Sequence, residues 1–137
     1  MSAGPVVIDS SVALKWLKPQ GEVHVAEARA LLGDQEAGLI MLVAPTHLLL
    51  EIMNALWSHH ATAGQIKRAA ELLRKLRLDF VEPDAVLLAR AAEMAVEHRI
   101  TVYDALFAAL AERLKCELVT ADRELIASGA CKIRELI

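Results

Sequence analysis

Pro5-Val-Val-Ile-Asp9-Ser-Ser-Val-Ala-Leu-Lys-Trp-Leu17 decides the fold. Three β-branched side chains in a row form an apolar run of strand length that ends abruptly on an acid, which is how a short buried strand reads. Ser10 and Ser11 are residues that cap helices, and the segment they open runs until Pro19 stops it. The same sequence of events recurs along the chain. Residues 38–44 form a continuous apolar run that Pro45 breaks, and Thr46 can cap a longer helix reaching about Ala63. Residues 117–120 form a short strand that exits through Ala121-Asp122 into a short helix ending near Ser128. Residues 78–82 and 131–134 read as further strands, the last of them at an edge. Helices are expected over residues 22–32, 65–77 (with Gly64 as the separator), 84–99 and 101–115. Strands alternating with helices predict an α/β sandwich around a mostly parallel sheet, and one domain over residues 1–137.

Composition narrows the class. A chain of 137 residues can bury a real core, and with 55% apolar but only 4% aromatic residues that core must be Leu, Ile, Val and Ala. Charged residues at 24% describe a soluble chain, not a disordered one. The longest apolar runs, such as residues 39–45, are far too short to span a bilayer. No basic segment and apolar leader precede the first strand, so no membrane association and a cytoplasmic location are expected. Cys116 and Cys131 are expected as reduced thiols, and no Cys/His pattern has zinc-ligand spacing. A net charge of -3 excludes generic coating of nucleic acid by a basic surface. The high aliphatic content predicts that some surface is covered by a partner.

Four of the 18 acids stand apart from the solvated majority. Asp9 and Asp122 each follow a short strand, and the carboxyl edge of an open α/β sheet is where ligands bind. Helix capping is an equally good reading of either one alone. Thr120, the last residue of its strand, could aim a hydroxyl at the same edge. Asp104 is the one acid in an apolar helix start, where the helix dipole also favours it. Glu51 lies within Leu48-Leu-Leu-Glu-Ile-Met-Asn-Ala-Leu-Trp57, where an ionised side chain needs water, a partner or a metal. His47, Glu51, Asn54 and Ser58 share one helix face, which spacing alone reads as a narrow solvent-facing stripe or as the wall of a cleft. Gathered together, the four carboxylates would repel each other and raise at least one pKa unless a cation joined them. Hard divalent ions such as Mg²⁺ and Mn²⁺ prefer such oxygens, and an all-acid site without a nucleophilic side chain suits phosphoryl chemistry.

Four motifs carry these acids: Val-Ile-Asp9-Ser-Ser-Val-Ala-Leu-Lys-Trp-Leu, Pro45-x5-Glu51-x2-Asn54-Ala-Leu, Tyr103-Asp104-Ala-Leu-x-Ala-Ala-Leu-Ala and Leu-Val-Thr120-Ala-Asp122-Arg-Glu-Leu. Each alone is weak. In this order and at these distances they resemble the PIN-domain ribonucleases, in particular the VapC-type toxins of type II toxin–antitoxin pairs, over nearly the whole chain. The resemblance implies a three-layer α/β/α sandwich with Mg²⁺ or Mn²⁺ held by Asp9, Glu51, Asp104 and Asp122. Ser10 and Thr120 fall where the family often has hydroxyl residues beside the metal. It further implies endonucleolytic hydrolysis of RNA by metal-activated water, a homodimer and a small antitoxin protein as partner. The chain departs from some members in one respect: a further acid shortly after Asp122 has only Glu124 as its counterpart, which leaves the number of metals open.

Two other readings stay within the same fold: a housekeeping RNA-processing nuclease, and a non-catalytic binding module, against which the intact acids count. A metal-dependent phosphatase of a different α/β fold would want a second Asp two residues after Asp9, where Ser11 stands.

Overall fold

In a computed structural model describing residues 3–137, the opening apolar run forms strand β1 (Gly4–Ile8) and passes through Asp9 directly into helix α1 (Ser10–Leu17). The chain continues as α2 (Val25–Glu36), β2 (Ile40–Pro45), α3 (His47–Ser58), α4 (Ala63–Lys75), β3 (Asp79–Val81), α5 (Ala85–His98), α6 (Val102–Leu114), β4 (Leu118–Thr120), α7 (Arg123–Ser128) and β5 (Ile133–Glu135). The strands form one sheet in the order β3-β2-β1-β4-β5, and every pairing is parallel. Helices flank this sheet in the expected α/β/α arrangement. Among the described residues no helix is long and apolar enough to cross a membrane.

The strand order matters for the site. From β1 the chain builds outward through β2 to β3, then returns to place β4 on the other flank of β1. The central pair β1 and β4 is therefore a switch point, where the connections leave in opposite directions and open a crevice at the carboxyl ends of the strands. Register is fixed there by Val7 opposite Leu118 and Ile8 opposite Val119. All four of these side chains are buried, as a parallel sheet covered on both faces requires.

Helix α6 covers the sheet over β1, β2 and β4 and packs against α5. Its residues Ala105 to Ala111 are buried without a break, so it is apolar on every side. Four alanines in that run let the helix lie close to the strands, and Phe107 and Leu110 fill the space beyond them. Helix α1 packs with α2, α3 and α4 and reaches β4. Trp16 is in this core, its indole N–H donating to the Ala28 carbonyl at 2.7 Å.

Several boundaries differ from the sequence-based expectation. The second helix starts at Val25 instead of Glu22 and runs on to Glu36. The buried Lys15 ammonium donates to Glu22 Oε1 at 2.8 Å and to the Val23 carbonyl at 2.7 Å, which holds those residues in the loop. Gly64 is not a separator but the second residue of α4, whose start is set by a reciprocal capping box between Thr62 and Gln65. Pro45 is the last residue of β2, opposite Val81, instead of a break before it. The edge strand is Ile133–Glu135, shifted toward the C-terminus from the expected residues 131–134.

Candidate functional site

Asp9 follows Ile8 at the carboxyl end of β1 and is 3% exposed. Its carboxylate does not cap α1. Instead the Ser11 hydroxyl donates to Oδ1 at 2.6 Å and the Thr120 hydroxyl donates to Oδ2 at 2.6 Å. Each hydroxyl also accepts a backbone hydrogen bond from the segment after β4. Ala121 N–H donates to Ser11 Oγ and Asp122 N–H to Thr120 Oγ1, both at 2.9 Å. The two central strand ends are thus stitched together around one carboxylate. Burial pushes the Asp9 pKa up to about 6, against the lowering effect of the two hydroxyls.

Asp122 is half-buried and caps α7, with Oδ1 accepting from the N–H groups of Glu124 at 2.8 Å and Leu125 at 3.3 Å. The capping alternative is therefore real for Asp122, while its position next to Thr120 also brings it to the edge occupied by Asp9. Asp104 lies in the first turn of α6, where Thr101 is the N-cap and accepts from Asp104 N–H at 3.1 Å. Its pKa is raised, first by burial and then by the charge of Asp122.

Glu51 sits one turn into α3, with Oε1 buried and without a hydrogen-bond partner. Burial raises its pKa to about 7, and the charges of Asp104, Asp9 and Asp122 each add to the rise. All three acids act on Glu51, and Asp122 acts on Asp9 and on Asp104 as well. Among the described residues no three His, Cys, Asp or Glu side chains are drawn closely enough together to hold a metal ion as they stand.

The rest of the α3 stripe divides. Asn54 and Ser58 are solvent-facing, as an amphipathic stripe predicts, but His47 and Glu51 turn inward. Burial lowers the His47 pKa, against the raising effect of its bond to the Tyr103 carbonyl. Its Nε2 lies 3.8 Å from Glu51 Oε1, too far for a hydrogen bond.

The Thr120 hydroxyl reaches the Asp9 carboxylate. The hydroxyl that joins it on Asp9 belongs to Ser11 and not to Ser10, which opens α1 beside the site. The signal for Ser11 was its spacing two residues after a strand-end acid, a common hydroxyl–carboxylate turn. Lys15 is turned away into the α1–α2 loop, and Arg123 is exposed at the start of α7.

The model of the family described as PIN domain matches residues 6–129. A curated relative, "Ribonuclease VapC3" of Pyrobaculum aerophilum, is 34% identical over 126 residues, covering 88% of this chain and 91% of the relative. The VapBC2 structure from Rickettsia felis, solved bound to a DNA fragment from its promoter, superposes with a TM-score of 0.71 at 13% identity, over 97% of this chain and 99% of that one. The Mycobacterium tuberculosis VapC20 structure, described as a sarcin-ricin loop cleaving toxin, gives a TM-score of 0.69 at 19% identity, over 90% and 95%. At these identities the two structures speak to the fold.

Proposed function

The chain belongs to the PIN-domain family, and on that footing we propose that it is a divalent-metal-dependent endoribonuclease, the toxin of a type II toxin–antitoxin pair acting in the cytoplasm. The observation that carries the reading is Glu51, a carboxylate with one oxygen buried and unpartnered while three further acids raise its proton affinity. Such a group is costly as it stands, and a bound cation removes the cost.

The donor set fits a hard ion. Asp9, Glu51, Asp104 and Asp122 offer only carboxylate oxygens, which suit Mg²⁺ or Mn²⁺ better than zinc. These four residues would hold the ion, and of them Asp9 is the one whose two oxygens both accept side-chain hydrogen bonds. When bound, such an ion activates water and stabilises charge on a phosphodiester oxygen. The chain's own contribution is orientation. Ser11 and Thr120 occupy both Asp9 oxygens and hold that carboxylate in one rotamer. Burial of Asp9 strengthens the charge interactions that this carboxylate makes. Four carboxylates would by themselves repel a phosphodiester, so substrate binding in this reading depends on the cation.

RNA as the substrate is supported by the relative named as a ribonuclease at 34% identity. Two surfaces support protein partners. Leu50 and Trp57, seven residues apart on α3, are 69% and 67% exposed and suit a second copy of the chain. A groove between the ends of α1 and α3 and the side of α4 has Leu17, Leu56 and Leu72 in its lining and Lys18, Arg68 and Lys75 beside them. That combination suits an amphipathic, acidic antitoxin segment.

The test is cleavage of a mixed RNA pool by the purified protein with Mg²⁺ or Mn²⁺, beside EDTA and Asp9→Asn controls. Metal-dependent cleavage that the variant loses is expected. Cleavage that survives EDTA, or full activity of Asp9→Asn at limiting Mg²⁺, would overturn the assignment.

A further inference from the structure

His47 opens α3 one turn before Glu51, and its side chain is only 14% exposed. The ring lies against Phe107 and Tyr103 of α6, with centroids 4.6 Å and 6.1 Å away. Nε2 is 3.0 Å from the Tyr103 carbonyl oxygen. A carbonyl only accepts, so Nε2 carries the hydrogen and donates it. The same N–H stands 3.8 Å from Glu51 Oε1. It therefore lies between the carboxylate of Glu51 and the backbone of the residue immediately before Asp104. Among the described residues this is the side-chain hydrogen bond that joins α3 to α6. Packing does not account for an imidazole here. Nδ1 is buried without a partner, a penalty that an aliphatic side chain in the same space would avoid.

We propose that His47 is a positioning residue for the acidic cleft: its Nε2–H ties the first turn of α6 to the first turn of α3 and so sets the separation of Asp104 and Glu51. Those are the two acids carried on helices, whereas Asp9 and Asp122 are fixed by the stitched ends of β1 and β4. The inference rests on the metal-dependent reading above. Its consequence is specific. Without the tie the fold persists, but the two helix-borne carboxylates lose their mutual register, and metal affinity falls while turnover at saturating metal is largely kept.

The experiment is titration of Mn²⁺ into the full chain without RNA, following the electron paramagnetic resonance signal of free Mn²⁺. Melting curves and the metal dependence of RNA cleavage accompany it. His47→Leu keeps an apolar group against Phe107 and removes the donor, while His47→Gln returns an N–H donor. His47→Leu is expected to melt within a few degrees of the unsubstituted protein and to bind Mn²⁺ roughly tenfold more weakly, as when an outer partner of a metal ligand is lost. It should need correspondingly more metal for half-maximal cleavage, with kcat at saturating metal within a few-fold. His47→Gln is expected to recover most of the affinity. If His47→Leu does not fold, His47→Met, which also lacks a donor, takes its place. Unchanged Mn²⁺ affinity in the donor-less variant overturns the proposal, and so does a His47→Gln protein as weak as His47→Leu. Absence of Mn²⁺ binding by the unsubstituted chain removes the metal-dependent reading and this inference with it. Normal binding with an indifferent variant removes only the role of His47.

Discussion

Thr120 Oγ1 donates a 2.6 Å hydrogen bond to Asp9 Oδ2, joining residues 111 positions apart in the chain. The bond exists because β1 and β4 are neighbours at the centre of the sheet, with Ile8 in register with Val119. The same hydroxyl accepts from Asp122 N–H, so one oxygen orients the exits of both strands and the acids they carry.

Replacing Thr120 by Val keeps the shape and removes that oxygen. Above pH 6 Asp9 is ionised, and the lost bond is one to a buried charge. Thr120→Val is therefore expected to cost about 1–3 kcal/mol at pH 8. At pH 5 the carboxyl is protonated and the loss should be clearly smaller, and Thr120→Ser should restore most of it at both values. Urea unfolding at the two pH values measures this. An equal loss at pH 5 and pH 8 would mean that the hydroxyl does not act through the charged form of Asp9.

Burial holds Asp9 at about 6 and Glu51 at about 7, against ordinary values of 3.8 and 4.5. Across that window the folded chain keeps protons that the unfolded chain has released. Its stability is therefore greatest at the acid end and falls as pH rises from about 4 to 7. Asp9, nearly fully buried, contributes on the order of 2–3 kcal/mol to the fall, and the partly exposed Glu51 adds less. Below this window the sign reverses. The Arg113 guanidinium, hydrogen-bonded to Asp84, holds that carboxyl down at about 2, and its contribution is lost as pH drops from 4 toward 2. Mg²⁺ is expected to raise the melting temperature at pH 8, where both cleft acids are ionised, and to do little at pH 5, where they retain protons. Thermal melts from pH 4.5 to 8 with and without Mg²⁺ decide the matter. A metal-free protein that grows steadily more stable up to pH 8 would contradict the burial of these two acids.

The sequence announces Asp9 and Asp122 because each terminates an apolar run too short to be anything but a buried strand, and strand ends are local features. Glu51 is different. A single acid in a leucine-rich helix has the same spacing whether it faces solvent or a cleft, and what distinguishes them is the start of α6 meeting the start of α3, which no local pattern encodes. That Ser11 and not Ser10 bonds Asp9 is illegible in the sequence for a related reason. Successive helical residues point about 100° apart, and which of the two meets Thr120 depends on β4 pairing with β1 across more than a hundred residues. The late start of α2 likewise depends on the tertiary grip of Lys15 on Glu22 and Val23, in a stretch whose local propensity allows helix. His47 was visible as a member of the α3 stripe, but its bond to the Tyr103 carbonyl was not.

Asp122 serves two ends, and two substitutions separate them. Through Oδ1 it caps α7, so Asp122→Ala is expected to cost about 0.5–2 kcal/mol of stability. In Asp122→Asn the amide oxygen still accepts from the Glu124 and Leu125 N–H groups, and stability should change by less than about 0.5 kcal/mol. The charge, however, is gone. Asp122 is one of the acids that raise Glu51, Asp9 and Asp104, so all three should titrate at lower pH in the variant, as carboxyl carbon NMR would record. Cleavage should fall by more than about tenfold, because even outer partners of metal ligands carry that weight. An Asn variant that is stable and fully active, beside an Ala variant that is merely unstable, would make Asp122 a helix cap and nothing more, and would leave Asp9, Glu51 and Asp104 as the acids of the cleft.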